Sequence, residues 1–229
     1  MNTKLLAIAL LNALNLASLP ATAANVIDFG AVTPDTAVCS STNDGLGAIA
    51  GCSNYSYLHQ TYGDIAGTVD VVYSAPRLVS QSLRWWADDY NSLYGVAWAA
   101  SSDSDSKARI DIVALQSGSG ITLTHFDMGA YPDTTLTTSI TIKDLADNTI
   151  LYSYVGAVGM YGGNNTATPF DFNLSSSSGI RIEWADSAYN VGIDNITYNV
   201  TAVPEPETYA LMLAGLAIVG AASRRKMHR

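Results

Sequence analysis

Basic residues, glutamate and cysteine are scarce in this 229-residue chain, and each scarcity closes a line of explanation. There are 11 lysines and arginines against 20 acidic residues, and five of the 11 sit at the two ends of the chain: Lys4, Arg224, Arg225, Lys226 and Arg229. Residues 24–202 are left with six basic and 18 acidic groups, a net of about −12. A surface this acidic repels nucleic acid and anionic lipid, so no nucleic-acid partner is expected. It favours cations such as Ca²⁺, or simply keeps the domain soluble by self-repulsion. Glu183 is the sole glutamate in that stretch and His59 and His125 its only histidines. Glycoside hydrolysis needs two positioned carboxylates, which here would have to come mostly from aspartates. No nucleophile elbow, zinc-ligand spacing or phosphate-binding glycine loop is present. The segment Tyr57–Asp64 could gather a His and an Asp, but turn and packing roles are commoner for such residues. No catalytic residue is assigned and the chain reads as a non-enzyme.

Only Cys39 and Cys52 could form a disulfide. They flank a segment rich in Gly, Ser and Asn, with no metal-ligand partners at ligand spacing, so a disulfide formed in an oxidising compartment is the expected state.

The two ends are built differently from the middle. Lys4 supplies a short positive region, and Leu5 to Leu19 is apolar apart from Asn12, Asn15 and Ser18. Pro20 then breaks the run, and Ala21 and Ala23 place small residues where signal peptidase needs them. Residues 1–23 are therefore expected to be a signal helix cleaved after Ala23. At the other end, Val203–Glu207 is stiffened by Pro204 and Pro206, Tyr209–Ala222 carries no charge, and a basic cluster follows. As a helix the apolar run reaches about 21 Å, short of the ~30 Å hydrocarbon core. Snorkelling by Arg224 and Arg225 would make it a marginal span with its basic end on the cytoplasmic side. The order Pro204-Glu205-Pro206, hydrophobic helix, Arg-Arg-Lys resembles the PEP-CTERM sorting signal of Gram-negative bacteria. The resemblance implies recognition and cutting by an exosortase, a transient inner-membrane intermediate, delivery to the cell surface or extracellular matrix, and association with exopolysaccharide.

Between the ends, residues 24–202 read as one domain of β-structure. Arg109–Ile112, Thr138–Lys143 and Ile180–Trp184 alternate apolar with polar residues, while Gly67–Tyr73 and Ile121–Phe126 are β-branched and aromatic. Asp44-Gly45, Tyr62-Gly63-Asp64, Ser117–Gly120, Asp147-Asn148 and Ser175–Gly179 supply turns. About ten strands at this spacing predict an all-β antiparallel sandwich or jelly roll. In the last strand Val191 and Ile193 share one parity and Ile196, Tyr198 and Val200 the other, which predicts a β-bulge at Asp194-Asn195 that re-aims Asp194.

Two constellations are candidates for ligands. Trp85, Trp86, Tyr90, Tyr94 and Trp98 fall within fourteen residues, on a predicted pair of strands over 80–86 and 94–100. Trp85 and Trp86 must then face opposite ways, one into the core and one partly exposed. An exposed Trp beside Asp88, Asp89 and Tyr90 would suit a pyranose, whose C–H face stacks on a ring while carboxylates accept its hydroxyls. The competing expectation is that all three tryptophans are core. Asp28, Asp64 and Asp194 are the candidates for a structural calcium, though none is required. Asp103–Ala108 opens like an EF-hand loop but lacks its Gly and Glu.

The segments Ile121–Tyr131, Ile180–Trp184 and Val191–Tyr198 resemble the central and terminal strands of the galactose-binding-like jelly rolls found in many PEP-CTERM proteins. That resemblance implies the fold and suggests, less directly, sugar binding. Three roles compete: a non-catalytic surface or matrix protein that binds glycan, a secreted carbohydrate-active hydrolase, and a purely structural matrix protein.

Overall fold

The computed structural model describes residues 24–78, 81–100, 106–202 and 214–216. The signal segment with Ala21 and Ala23 lies outside the described residues, as do Asp103, Asp105, and the tail's Pro204, Glu205, Pro206, Arg224 and Arg225. Among the described residues no helix is long and apolar enough to cross a membrane.

The body is built almost wholly of strands. The first seven are β1 (Asn25–Ile27), β2 (Cys39–Ser40), β3 (Ala48–Ile49), β4 (Tyr57–Leu58), β5 (Val69–Ser74), β6 (Arg84–Trp86) and β7 (Val96–Trp98). The rest are longer: β8 (Ala108–Ala114), β9 (Ser119–Ala130), β10 (Leu136–Asp144), β11 (Ile150–Val158), β12 (Thr168–Ser176), β13 (Gly179–Ala185) and β14 (Val191–Ala202). Fourteen strands exceed the roughly ten legible in the sequence because β2, β3 and β4 are two residues each, too short to show a period. All pair antiparallel, in two sheets. One runs β12-β9-β14-β7-β6-β4-β2-β3 with β1 also on β14, and the other runs β11-β10-β13-β8-β5.

Alternation decides which side chains fill the space between the sheets. Ile110 and Ile112 of β8, Ile140 and Ile142 of β10, and Ile180, Ile182 and Trp184 of β13 are all fully buried. The charged residues between them meet across the outer face. Arg181 makes two hydrogen bonds to Asp111, both at 2.7 Å, and Arg109 reaches Glu183 at 2.8 Å, each pair directly opposite in register. Burial pushes the Glu183 carboxyl up, but the Arg109 guanidinium, aided by Lys143 and Lys107, more than offsets this and holds it below the usual range. Glu183 is thus a cross-strand ion-pair partner.

The bulge in β14 is present. Asn195 adopts a left-handed φ of 54°, and the pairing with β9 shifts register between Asp194 and Thr197. Val191 and Ile193 before it, and Ile196 and Tyr198 after it, all enter the core. The break also lets one edge of β14 serve two partners, β7 through Ile193 and β1 through Ile196–Tyr198. Asp194 is turned inward to 3% exposure, where its Oδ1 accepts the Phe29 N–H at 2.8 Å.

Cys39 and Cys52 are joined in a disulfide, with no free cysteine. It fastens β2 to the chain just beyond β3, where pairing is sparse. Loop closure of this size contributes about 3 kcal/mol. Replacing both cysteines with Ser is expected to lower the urea-unfolding free energy by roughly 2–4 kcal/mol. An unchanged midpoint, or two titratable thiols in the unreduced denatured protein, would contradict this.

Burial, opposed by the Phe29 hydrogen bond and assisted by the charges of Asp28 and Asp127, raises the Asp194 carboxyl to about 8. A folded-state value above the unfolded one means the native state binds the proton more tightly. This group's contribution is complete below its unfolded value near 3.9 and is lost as pH rises through about 8. Asp194→Asn keeps the acceptor oxygen without the charge. Its stability curve should therefore be flatter than wild type between pH 5 and about 9, and lie above it at the alkaline end. Parallel curves from urea melts would refute the assignment.

Candidate functional site

Strand alternation separates the tryptophans of β6. Trp85 points into the sandwich at 3% exposure, and its Nε1–H donates to the Phe29 carbonyl at 2.9 Å. It is a core residue, which corrects its candidacy as a sugar platform. Trp86 is half-buried on the opposite, outer face of the large sheet, so the expected division between the two rings holds.

On that outer face a second apolar cluster forms, apart from the main core: Tyr90, Leu93, Val96, Trp98 and Ala167, with Trp86, Tyr131 and Tyr189 packed against it. Trp86 and Trp98 lie on neighbouring strands with centroids 6.1 Å apart at 79°. Tyr55 stands edge-on to both, at 4.8 Å and 5.7 Å. Tyr131 meets Trp86 at 5.4 Å, and Tyr189 meets Trp98 at 5.3 Å. These rings, with Tyr90 and Asn190, line a pocket with a cavity volume of about 50 Å³, partly open to solvent. That is far below the ~300–1,000 Å³ of pockets that enclose drug-sized ligands, so it has room for no more than the edge of one ring laid across its mouth.

The walls come from loops that are tied together. Asn91, only 8% exposed, is the knot. Its Oδ1 accepts the Ala130 N–H at 2.8 Å, and its Nδ2 donates to the Thr134 carbonyl and to Asn165 Oδ1. Its backbone N–H donates to Asp133 Oδ1 at 3.0 Å. One side chain thereby joins the β6–β7, β9–β10 and β11–β12 loops. Beneath them Gly129 lies flat against the Tyr90 backbone, where a Cβ would come within 2.2 Å of the Tyr90 carbonyl oxygen. Tyr90 itself is 3% exposed; it donates from its hydroxyl to the Tyr189 carbonyl at 3.3 Å, and burial raises that hydroxyl's pKa. Tyr90 is wall rather than platform.

The chemistry of the pocket is set by its indoles. Trp85 and Trp184 place their N–H groups on backbone carbonyls. Trp86 and Trp98 do not: both Nε1 atoms are buried without a hydrogen-bond partner among the described residues. Such orphans are rare in native structures and call for an explanation. An acceptor-bearing ring laid across the mouth of the pocket would supply one, with the aromatic faces available for its C–H surface.

Other expected residues fall elsewhere. Asp88 and Asp89 are exposed and do not line the pocket. Asp89 takes a left-handed φ of 64°, and its carbonyl accepts the Asp133 N–H, so the pair shapes a turn instead of receiving hydroxyls. Asp28, Asp64 and Asp194 do not form one ligand set. Asp28 Oδ1 accepts the Gly30 N–H and Asp194 the Phe29 N–H, whereas Asp64 accepts the Val71 N–H at the start of β5. Among the described residues no group of three or more His, Cys, Asp or Glu is placed to hold a metal ion, so these residues do not fit the expected calcium. Sequence reasoning missed Trp98 as a pocket residue, along with Tyr55, Tyr131, Tyr189 and Asn190. Trp98 was legible, since it shares the parity of Trp86 across a hairpin; the tyrosines, scattered over 130 residues, carried no local signal.

Comparison with curated proteins finds no match. Among solved structures, a β-(1,4)-mannanase from Podospora anserina, GH26-CBM35, aligns at 11% identity and a TM-score of 0.32, over 59% of this chain and 29% of its own. This chain therefore spans under a third of that enzyme. A structure described as a CBM4 aligns at 15% identity and a TM-score of 0.28, over 59% of this chain and 87% of its own. The CBM22-1 xylan-binding domain of Paenibacillus barcinonensis Xyn10C aligns at 7% identity and a TM-score of 0.31, over 58% and 87%. These superpositions are loose and partial, and the fold assignment rests on the two sheets themselves. Residues 202–226 match the family model of the PEP-CTERM protein-sorting motif, which begins at the last residue of β14, indicates an exported protein sorted via the membrane, and implies processing by an exosortase.

Proposed function

We propose that this is a non-catalytic surface or matrix protein that holds one neutral sugar ring of an exopolysaccharide at the mouth of the outer-face aromatic pocket. The observation that carries this reading is the pair of buried, unpartnered indole N–H groups on Trp86 and Trp98, two of the rings that line the pocket. Ring faces suit the C–H side of a pyranose, and two donors suit its oxygens. Among the described residues no cationic side chain lines the pocket, and the domain is strongly acidic, which favours a neutral sugar over an anionic one. A hydrolase would need pKa-shifted carboxyls in a cleft. The carboxyls raised here among the described residues, Asp64 and Asp194, lie outside the pocket and accept backbone N–H groups.

The test is a glycan array and polysaccharide pull-down with residues 24–202, repeated with three variants. Trp98→Phe keeps most of the ring and removes one donor, so affinity should fall about fivefold for a hydrogen bond worth ~1 kcal/mol. Trp86→Ala, which also loses its stacking face, should fall further, at least about tenfold, while the fold persists by circular dichroism. Trp85→Ala should instead cost roughly 3–5 kcal/mol of stability. Glycan binding untouched by Trp86→Ala and Trp98→Phe, in folded protein, would sink the proposal.

A further inference from the structure

The topology fixes where the pocket lies relative to the chain's membrane-directed ends. Strand β14 runs from Val191 to Ala202, and the sorting motif starts at that last residue. At its far end Val191 pairs with Ala130, and one step beyond the Tyr131 N–H donates to the Asn190 carbonyl at 2.8 Å. Tyr131, Tyr189 and Asn190 therefore belong to the Val191 end. Trp98 joins them there, one residue past Ala97, which pairs with Ile193. At the other end Ala202 pairs with Ser119, beside the turn between β8 and β9. Eleven residue steps at about 3.3 Å each separate the ends by roughly 35 Å.

The N-terminus adds a second observation. In β1, Asn25 pairs antiparallel with Tyr198 and Ile27 with Ile196. Read backwards from Asn25, the chain heads toward Ala202 and away from the pocket. Both the segment that precedes β1 and the sorting motif that follows β14 therefore leave by the same pole.

We infer that the aromatic pocket is the outward pole of the membrane-attached chain, so that it engages neutral glycan lying beyond the membrane while the tail is still in place. The proposal rests on the sugar-binding reading of the pocket, but its orientation is separately measurable. A pocket at the tail pole would face the anchoring bilayer, and its ligand would reach it only after release. A pocket at the opposite pole needs no such release.

The experiment uses the full chain, tail included, in phosphatidylcholine vesicles carrying a headgroup energy-transfer acceptor. A donor dye is placed on Ser117→Cys, in the exposed β8–β9 turn, or on Thr135→Cys, in the exposed β9–β10 loop; the native cysteines are occupied by their disulfide. Transfer should be greater from Ser117→Cys by at least about twofold, given the roughly 35 Å between the poles. Equal or reversed transfer, or a chain that does not float with the vesicles, overturns the proposal. A second arm exposes the same vesicles to galactomannan and agarose beads. Capture that is lost in Trp86→Ala supports binding in the attached state. Capture of the chain in detergent micelles but not on vesicles overturns it. Capture of neither sinks the sugar-binding reading, and the proposal that stands on it, while the transfer ratio still decides the orientation by itself.

Discussion

A single residue, Phe29, has both of its backbone polar groups clasped by side chains, and much of the large sheet is organised around it. Its N–H is held by Asp194, the residue that the β14 bulge turns inward, and its carbonyl by the indole N–H of Trp85 on β6. The bulge exists because β14 must feed side chains to the core on both sides of a phase change while giving one edge to β7 and then to β1. Once Trp85 is anchored inward, strand alternation leaves Trp86 no choice but the outer face. The pocket is in this sense a consequence of the core.

The same logic accounts for the contrast among the four tryptophans. Trp85 and Trp184 face the space between the sheets, where the backbone offers carbonyls at the right distance. Trp86 and Trp98 face away from it, where their neighbours are other rings. Edge-to-face packing offers an indole N–H at most a weak contact with the negative face of a neighbouring ring, well short of a carbonyl acceptor. Burial without partners costs stability. In the proposed reading that cost is recovered when a sugar oxygen arrives.

Period and parity were the parts of this structure that could be read from sequence. The alternation in Arg109–Ile112 and Ile180–Trp184 marks the inward isoleucines, whereas the register that sets Arg109 opposite Glu183 and Arg181 opposite Asp111 comes from the structure. The Val191–Val200 parity switch located the bulge. A matching switch occurs in β9, between Ile121 and Leu123 on one side and Phe126 and Met128 on the other, and the structure places it against the β14 bulge. Tertiary assembly was not legible. Asp88 and Asp89 lie beside Trp86 in sequence, yet the loop turns them to solvent and brings in Tyr131 and Tyr189 instead. The distant partners arrive through Asn91, whose four hydrogen bonds cross three loops.

Charge and shape together narrow what such a site can hold. With about three acidic groups for every basic one in residues 24–202, the domain sits in its own negative potential, which lowers the local concentration of any polyanion. A pocket that offers rings and indole donors but no guanidinium or ammonium group has no short-range attraction to set against that repulsion. A neutral ring suffers no such penalty, and its stacking energy is insensitive to salt. Salt therefore discriminates between the two ligand classes: affinity for a neutral glycan should hold steady as ionic strength rises, whereas binding of an anionic one would improve as the domain's field is screened.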